Sequence, residues 1–215
     1  MNKFKTLKNH VYDYIAEQIS LGEIAPGEKI NENKISDSLS VSRTPVREAL
    51  IELSCFGVLE NVPRKGFIVK NLSLQDITNL YAVIGLLEGE AARLACNSLN
   101  SRELSDMKFY VNGMYLAIEQ ENYAMYQKQQ IEFHGVFINK CGNDELISTL
   151  DNLKSKLIKR DFDETKHPNI KDILNQTNAE HEKIYELFAK KDAAAVSSYL
   201  KEVHWCSHHA DFEVL

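Results

Sequence analysis

The sequence predicts a mainly α protein: three short helices and a β-hairpin, followed by an all-α antiparallel bundle. Three observations carry this expectation. Residues 1–72 contain three helical stripes and then two strand-like runs around a basic turn with Gly66. From Ser73 onward apolar residues recur at helical spacing with no convincing strand alternation. Between these patterns, residues 41–50 read Val-Ser-Arg-Thr-Pro-Val-Arg-Glu-Ala-Leu, a helix start that carries two arginines on one side.

The elements follow in order. Leu7, Val11, Tyr14, Ile15 and Ile19 form a helical stripe over residues 6–21, closed by Gly22. Pro26-Gly27 is a turn, and Lys29-Ile30 leads into a short strand. Asn31 caps a second helix with Ile35 and Leu39 inward. Ser42 and Thr44 are oxygen acceptors for the free N–H groups of the third helix, and Pro45 suits its first turn. Val46, Ala49, Leu50 and Leu53 are its buried face, and Gly57 ends it. Residues 58–62 and 67–70 are the two strands, broken at Pro63-Arg64-Lys65-Gly66. Three helices and a hairpin in this length are the layout of a winged helix-turn-helix, with the hairpin as wing.

Six helices are expected in residues 73–215. They start near Ser73, Ser101, Asn122, Asn143, Thr177 and Asp192, with residues 161–176 as a polar loop or short helix around Pro168. Such helices make an antiparallel bundle. The expected domains are therefore 1–72 and 73–215.

Composition narrows the function classes. The chain has 215 residues, 44% of them hydrophobic, enough for a real core. No long uncharged apolar run suggests a membrane span, and residues 1–8 lack the apolar stretch of a signal peptide. The four cysteines are scattered without a C-x-x-C pair and read as reduced thiols, which fits a cytoplasmic protein. Net charge is −6, unevenly divided: residues 1–72 hold ten basic and nine acidic side chains, the remainder fifteen and twenty-two. The N-terminal part is thus the better partner for a polyanion.

Arg43 and Arg47, four residues apart at a helix N-terminus, suit DNA phosphate or the O6/N7 edge of guanine. Read alone they are as easily solvated charge; inside this pattern, with a basic hairpin behind, DNA contact is the stronger reading. His134 and His181 lie on otherwise apolar helix faces, where they either line a pocket or sit hydrogen-bonded in the core. His204, His208 and His209 beside Trp205 resemble a metal tag but are expected to be exposed or interfacial.

These residues resemble the GntR family of bacterial transcriptional regulators. The resemblance rests on residues 22–28, on Asn31-Glu32, on residues 41–50 and on residues 66–69. The C-terminal part resembles the FCD effector domain of the FadR-like branch, through Leu80-Tyr81, Leu87-Glu88, Phe133-His134, Gly142-Asn143, Glu180-His181 and Asp192. The resemblance implies a homodimeric repressor or activator, reading a near-palindromic double-stranded operator, whose DNA affinity is shifted by a small metabolite in the helical domain. It makes Arg43 and Arg47 base- and phosphate-contacting residues of the recognition helix, with Ser42 and Thr44 beside them and Thr44 on phosphate. Gly66 then allows the wing close approach to the minor groove, flanked by Arg64 and Lys65. Asn33 stands where the family commonly has an arginine; either the operator differs at that base or Asn33 makes no base contact.

In many FCD domains an Asp and three histidines hold a metal. Here the corresponding positions are Gln130, His134, His181 and Val203, so two of four ligands are replaced. His204 falls one residue late, rotated about 100° away on an α-helix. A divalent metal on His134 and His181 alone, completed by water or effector, is left open, and no cofactor is certain. Ile84 stands where the family often has an arginine, so a neutral or more apolar effector than a small carboxylate is expected at Gln130, His134, His181, Ile84 and Val203. Two competing readings remain: a helical-bundle metal-dependent enzyme with an N-terminal interaction domain, and a winged helix that binds protein rather than DNA. No acid/base pair, phosphate loop or nucleophile motif supports the enzyme, and the retained Arg43, Arg47 and Lys65 oppose the protein-binding reading.

Overall fold

A computed structural model describes residues 6–20, 22–157 and 169–206. Nine α-helices and one two-stranded hairpin lie among them, in the order expected. The chain divides into two compact units at Ser73/Leu74, with residues 152–157 grouped with the first.

In the first unit, helices α1 (Leu7–Ser20), α2 (Glu32–Leu39) and α3 (Arg43–Cys55) precede strands β1 (Leu59–Val62) and β2 (Gly66–Val69). Val11, Ile15, Ile35, Val46, Leu50, Leu53 and Phe67 are buried together, the same positions that give the helical stripes. Asn31 caps α2 by accepting from the N–H groups of Asn33 and Lys34. Ser42 occupies the cap position of α3 in extended conformation, but its hydroxyl makes no cap hydrogen bond. The expected capping role is therefore corrected: the hydroxyl is left on the surface. The strands pair antiparallel, Leu59 with Val69 and Val62 with Gly66, and where a short strand was expected Lys29 makes only an isolated bridge to Ile68. Arg64 and Gly66 both have positive φ, 65° and 89°, which turns the chain in a three-residue loop.

In the second unit α4 (Leu74–Ala95) packs against α6 (Tyr123–Ile138) and against α9 (Ala193–Tyr199). Helix α5 (Ser101–Glu119) packs on α6 and on α8 (Ile170–Ala189), while α7 (Asp144–Ser155) follows α6. Helix α5 starts at Ser101, as expected. Asn100 is the cap, and Glu103 reaches back to its backbone N–H at 2.8 Å, completing a capping box. Replacing Asn100 with alanine is expected to cost about 1 kcal/mol, read by urea denaturation.

Helix α8 is the larger correction. It begins at Ile170, not at Thr177. The Thr177 hydroxyl donates to the Ile173 carbonyl one turn back, as it does inside a helix, rather than capping a new one. Buried Ile170 and Leu174 supply the apolar stripe that the polar residues between them obscured. The rest of the expected loop, residues 158–168, lies outside the described residues, as do His208 and His209.

Candidate functional site

The first unit presents α3 and the wing. Ser42, Arg43, Thr44, Arg64 and Lys65 are exposed, as is Asn33 on α2. The Arg47 side chain is 69% exposed, and its approach to Glu32, 3.9 Å, is at the limit of an ion pair. Val46, Ala49, Leu50 and Leu53 anchor α3 from its other side, so the arginines stand on a rigid support. These side chains are thus on the surface, where they can meet a polyanion, while Gly66 is half-buried at the start of β2.

The second unit contains a buried centre. Three histidines converge: His134 on α6, His181 on α8, and His204 at the end of the last helix. They are 3%, 0% and 5% exposed. His134 Nε2 lies 3.2 Å from His181 Nε2 and 3.2 Å from His204 Nε2. Behind the rings stand two carboxylates. Glu88 Oε2 accepts from His134 Nδ1 at 2.9 Å, and Glu180 Oε2 accepts from His204 Nδ1 at 2.9 Å. Trp205 Nε1 also donates to Glu88 Oε2, at 2.8 Å.

With both carboxylates ionised and both rings neutral, these hydrogen bonds favour one tautomer. An ionised carboxylate only accepts, so it holds the proton on Nδ1 and turns the Nε2 lone pair of His134 and of His204 inward. Two such lone pairs face each other at 3.2 Å. That arrangement is repulsive unless a cation, a proton or a metal ion, lies between them. Two nitrogens about 2.0–2.1 Å from a tetrahedral zinc are about 3.3–3.4 Å apart, close to the spacing here. Carboxylate-backed imidazoles are also the usual support of a metal-binding histidine. The donor set fits a divalent transition metal.

His204 reaches this centre through a break in helix geometry. Residues Leu200–His204 form a π turn directly after α9. The Trp205 N–H donates to the Leu200 carbonyl, five residues back, at 3.0 Å. The wider turn absorbs one extra residue. It carries His204 into the position that an α-helix gives to residue 203, and Val203 faces outward, 37% exposed. The expectations that Val203 lines the pocket and that His204 is exposed are both overturned, and the physical reason is this register change. His134 and His181 are brought together as expected. Ile84 is fully buried on α4, and Gln130 sits half-buried one turn before His134 on α6. Only Gln130 then departs from the four-ligand pattern.

Close approach of α4 makes the geometry attainable. A Cβ on Gly85 lies 2.8 Å from Trp205 Cβ, and one on Gly89 lies 2.9 Å from the Ser197 carbonyl oxygen. With glycine at both, the last helix comes near enough for Glu88 to reach His134 and Trp205. Sequence reasoning missed Glu88, Glu180, Trp205 and His204 as parts of one centre. The available signal was small residues at 85 and 89 flanking an acid, together with a histidine one residue out of register.

A family model described as bacterial regulatory proteins, gntR family, matches residues 7–69, and the FCD domain model matches residues 79–203. The chain belongs to the gntR family and carries an FCD domain. The FCD match ends at Val203, one residue before His204. Among relatives of this gntR-family chain, the Nta operon transcriptional regulator of Aminobacter aminovorans is 32% identical over 132 residues, 61% of this chain and 62% of its own length. The HTH-type transcriptional repressor RspR of Escherichia coli is 24% identical over 94% of this chain and 90% of its own. The solved structure of E. coli McbR/YncC superposes with a TM-score of 0.80 at 18% identity, covering 97% of each chain, which shows the shared fold. No described helix is long and apolar enough to cross a membrane.

Proposed function

We propose that this gntR-family regulator binds a near-palindromic double-stranded operator as a homodimer in the cytoplasm, and that a small molecule in its FCD domain shifts its DNA affinity. The observation that carries the ligand-responsive part is the inward convergence of three imidazole nitrogens inside a helical domain attached to a winged helix. Arg43 and Arg47 at the start of α3 supply the base- and phosphate-directed forks, Ser42, Thr44 and Asn33 flank them, and Arg64, Lys65 and Gly66 form the wing contact.

His134, His181 and His204 would hold a divalent metal ion. When bound, it supplies a Lewis-acidic coordination position for an oxygen of the effector. Glu88 and Glu180 keep the Nδ1 protons of His134 and His204 in place, so that Nε2 stays available. Trp205 fixes Glu88 by its own hydrogen bond and packs edge-on against Tyr81, 4.9 Å between ring centroids. Ile84 and Gln130 complete the lining without adding charge.

Fluorescence anisotropy with DNA from the protein's own upstream region tests the DNA reading. Arg47→Ala is expected to lose about 1–3 kcal/mol of operator binding and to relax specificity at one base pair. Equal binding of operator and scrambled DNA by the unmodified protein would sink the proposal. Repeating the titration with zinc and with chelator tests whether the FCD domain speaks to the DNA.

A further inference from the structure

Buried polar atoms of the helical unit without a hydrogen-bond partner among the described residues include the Tyr126 hydroxyl oxygen, Gln129 Oε1 and Asn178 Oδ1. Tyr126 is 1% exposed and Asn178 is fully buried. The orientation of the Asn178 amide is fixed, because its Nδ2 donates to the Val111 carbonyl at 3.2 Å and the reverse placement would set two oxygens against each other. Its oxygen is therefore an acceptor in need of a donor. Native interiors seldom leave such groups unsatisfied, and each one calls for an explanation.

Their placement supplies it. Tyr126, Gln130 and His134 recur every four residues on α6 and make one stripe. Asn178 precedes His181 by three residues on α8, on the same face. Burial and the nearby charge of Glu180, the carboxylate behind His204, both push the Tyr126 hydroxyl well above the usual range, so it stays a neutral O–H. Tyr126 and Asn178 thus extend the polar stripes that end in the histidine centre, whereas Gln129 lies off them.

Charge then selects the ligand class. Among the described residues the buried charged side chains are Glu88 and Glu180; no lysine or arginine is buried. An anionic ligand there would find no buried lysine or arginine among the described residues to offset its charge. Apolar ligands fail for the opposite reason, because they leave the Asn178 oxygen and the Tyr126 hydroxyl unsatisfied.

We propose that Tyr126 and Asn178 form the specificity end of the effector site and that the effector is a small neutral molecule bearing several hydroxyls, a polyol or sugar. This rests on the reading of the histidine centre as the effector site. One ligand hydroxyl donates to Asn178 Oδ1, and another exchanges a hydrogen bond with Tyr126. A site built on buried hydrogen-bonding groups rejects analogues lacking the matching hydroxyl far more strongly than an apolar pocket rejects a missing methylene.

The test is calorimetry on the full chain with zinc and with chelator, using erythritol and xylitol, the matched acids erythronate and xylonate, and valerate. The polyols are expected to bind about tenfold or more tightly than the acids, with valerate silent. Tyr126→Phe, which keeps the shape of the side chain, is expected to weaken polyol binding about tenfold or more without changing zinc affinity. Asn178→Leu should do the same, although it also removes the bond to Val111. Tighter binding of the acids, no heat from the polyols at tens of millimolar, or unchanged polyol affinity in Tyr126→Phe each overturns the inference. A Tyr126→Phe protein that is merely more stable, with unchanged binding, would mean that water alone satisfies these atoms, and overturns it too. Failure of zinc to bind would instead overturn the metal assignment, while the polyol and acid comparison in chelator still decides the Tyr126–Asn178 site.

Discussion

His204→Leu is expected to lower zinc affinity at least about 100-fold, more than the loss of a supporting carboxylate costs. Three candidate ligand nitrogens within 4.8 Å of one another become two, and leucine fills the space without offering a lone pair. The effect is also legible as stability. At zinc concentrations about 100 times Kd the unmodified protein gains about 2.7 kcal/mol. For a chain of this size that is a rise of about 5–10 °C in Tm, and His204→Leu should show almost none of it. Deleting Glu202 is the informative companion. It removes the extra residue of the π turn, so the Trp205 N–H meets the Leu200 carbonyl as an ordinary α-helical bond. His204 and Trp205 then keep their places, and zinc binding is expected to survive. Loss of zinc binding in the deletion would show that the π turn does more than restore register.

The second large effect is at the α4 contact. Gly89→Ala places a methyl 2.9 Å from the Ser197 carbonyl oxygen, which is backbone and has nowhere to go without moving the last helix. Overpacking of this kind costs about 1–3 kcal/mol. Alanine's better helix propensity returns up to about 1 kcal/mol, so a net loss of about 1–2 kcal/mol is expected. Because the same helix carries His204, zinc affinity should fall with it. Gly135→Ala on α6 is the control. Its Cβ meets only Asn139 Nδ2 at 3.5 Å, an ordinary contact, and the substitution should stabilise or be neutral. Thermal denaturation and zinc titration of both variants check the argument; equal behaviour would remove the close-approach explanation.

Much of the helical layout was legible because it follows from local chemistry. Asn31, Asn122 and Asp192 cap the helices at which they were expected, since a short oxygen-bearing side chain before an apolar stripe satisfies the first free N–H groups wherever it occurs. The start of α8 was misread for a related reason. Thr177 and Glu180 have the spacing of a cap, but that spacing also occurs inside helices, and the buried Ile170 and Leu174 decide the matter by packing. His134 and His181 were singled out from their faces, whereas Glu88, Glu180, Tyr126 and Asn178 gave no local sign of acting together.

By itself the sequence determined the family, the third helix that carries Arg43 and Arg47, and the bundle behind it. Those are properties of residues near one another along the chain, where helical period and capping chemistry act. The histidine centre was decided only by tertiary structure. Counting along an α-helix turns His204 away, and only a five-residue hydrogen bond from Trp205 to Leu200, in a helix pressed against Gly85 and Gly89, turns it inward. Register within a helix is read from sequence on the assumption of a constant turn. One π turn breaks that assumption, and here it converts two apparent losses in the ligand set into one.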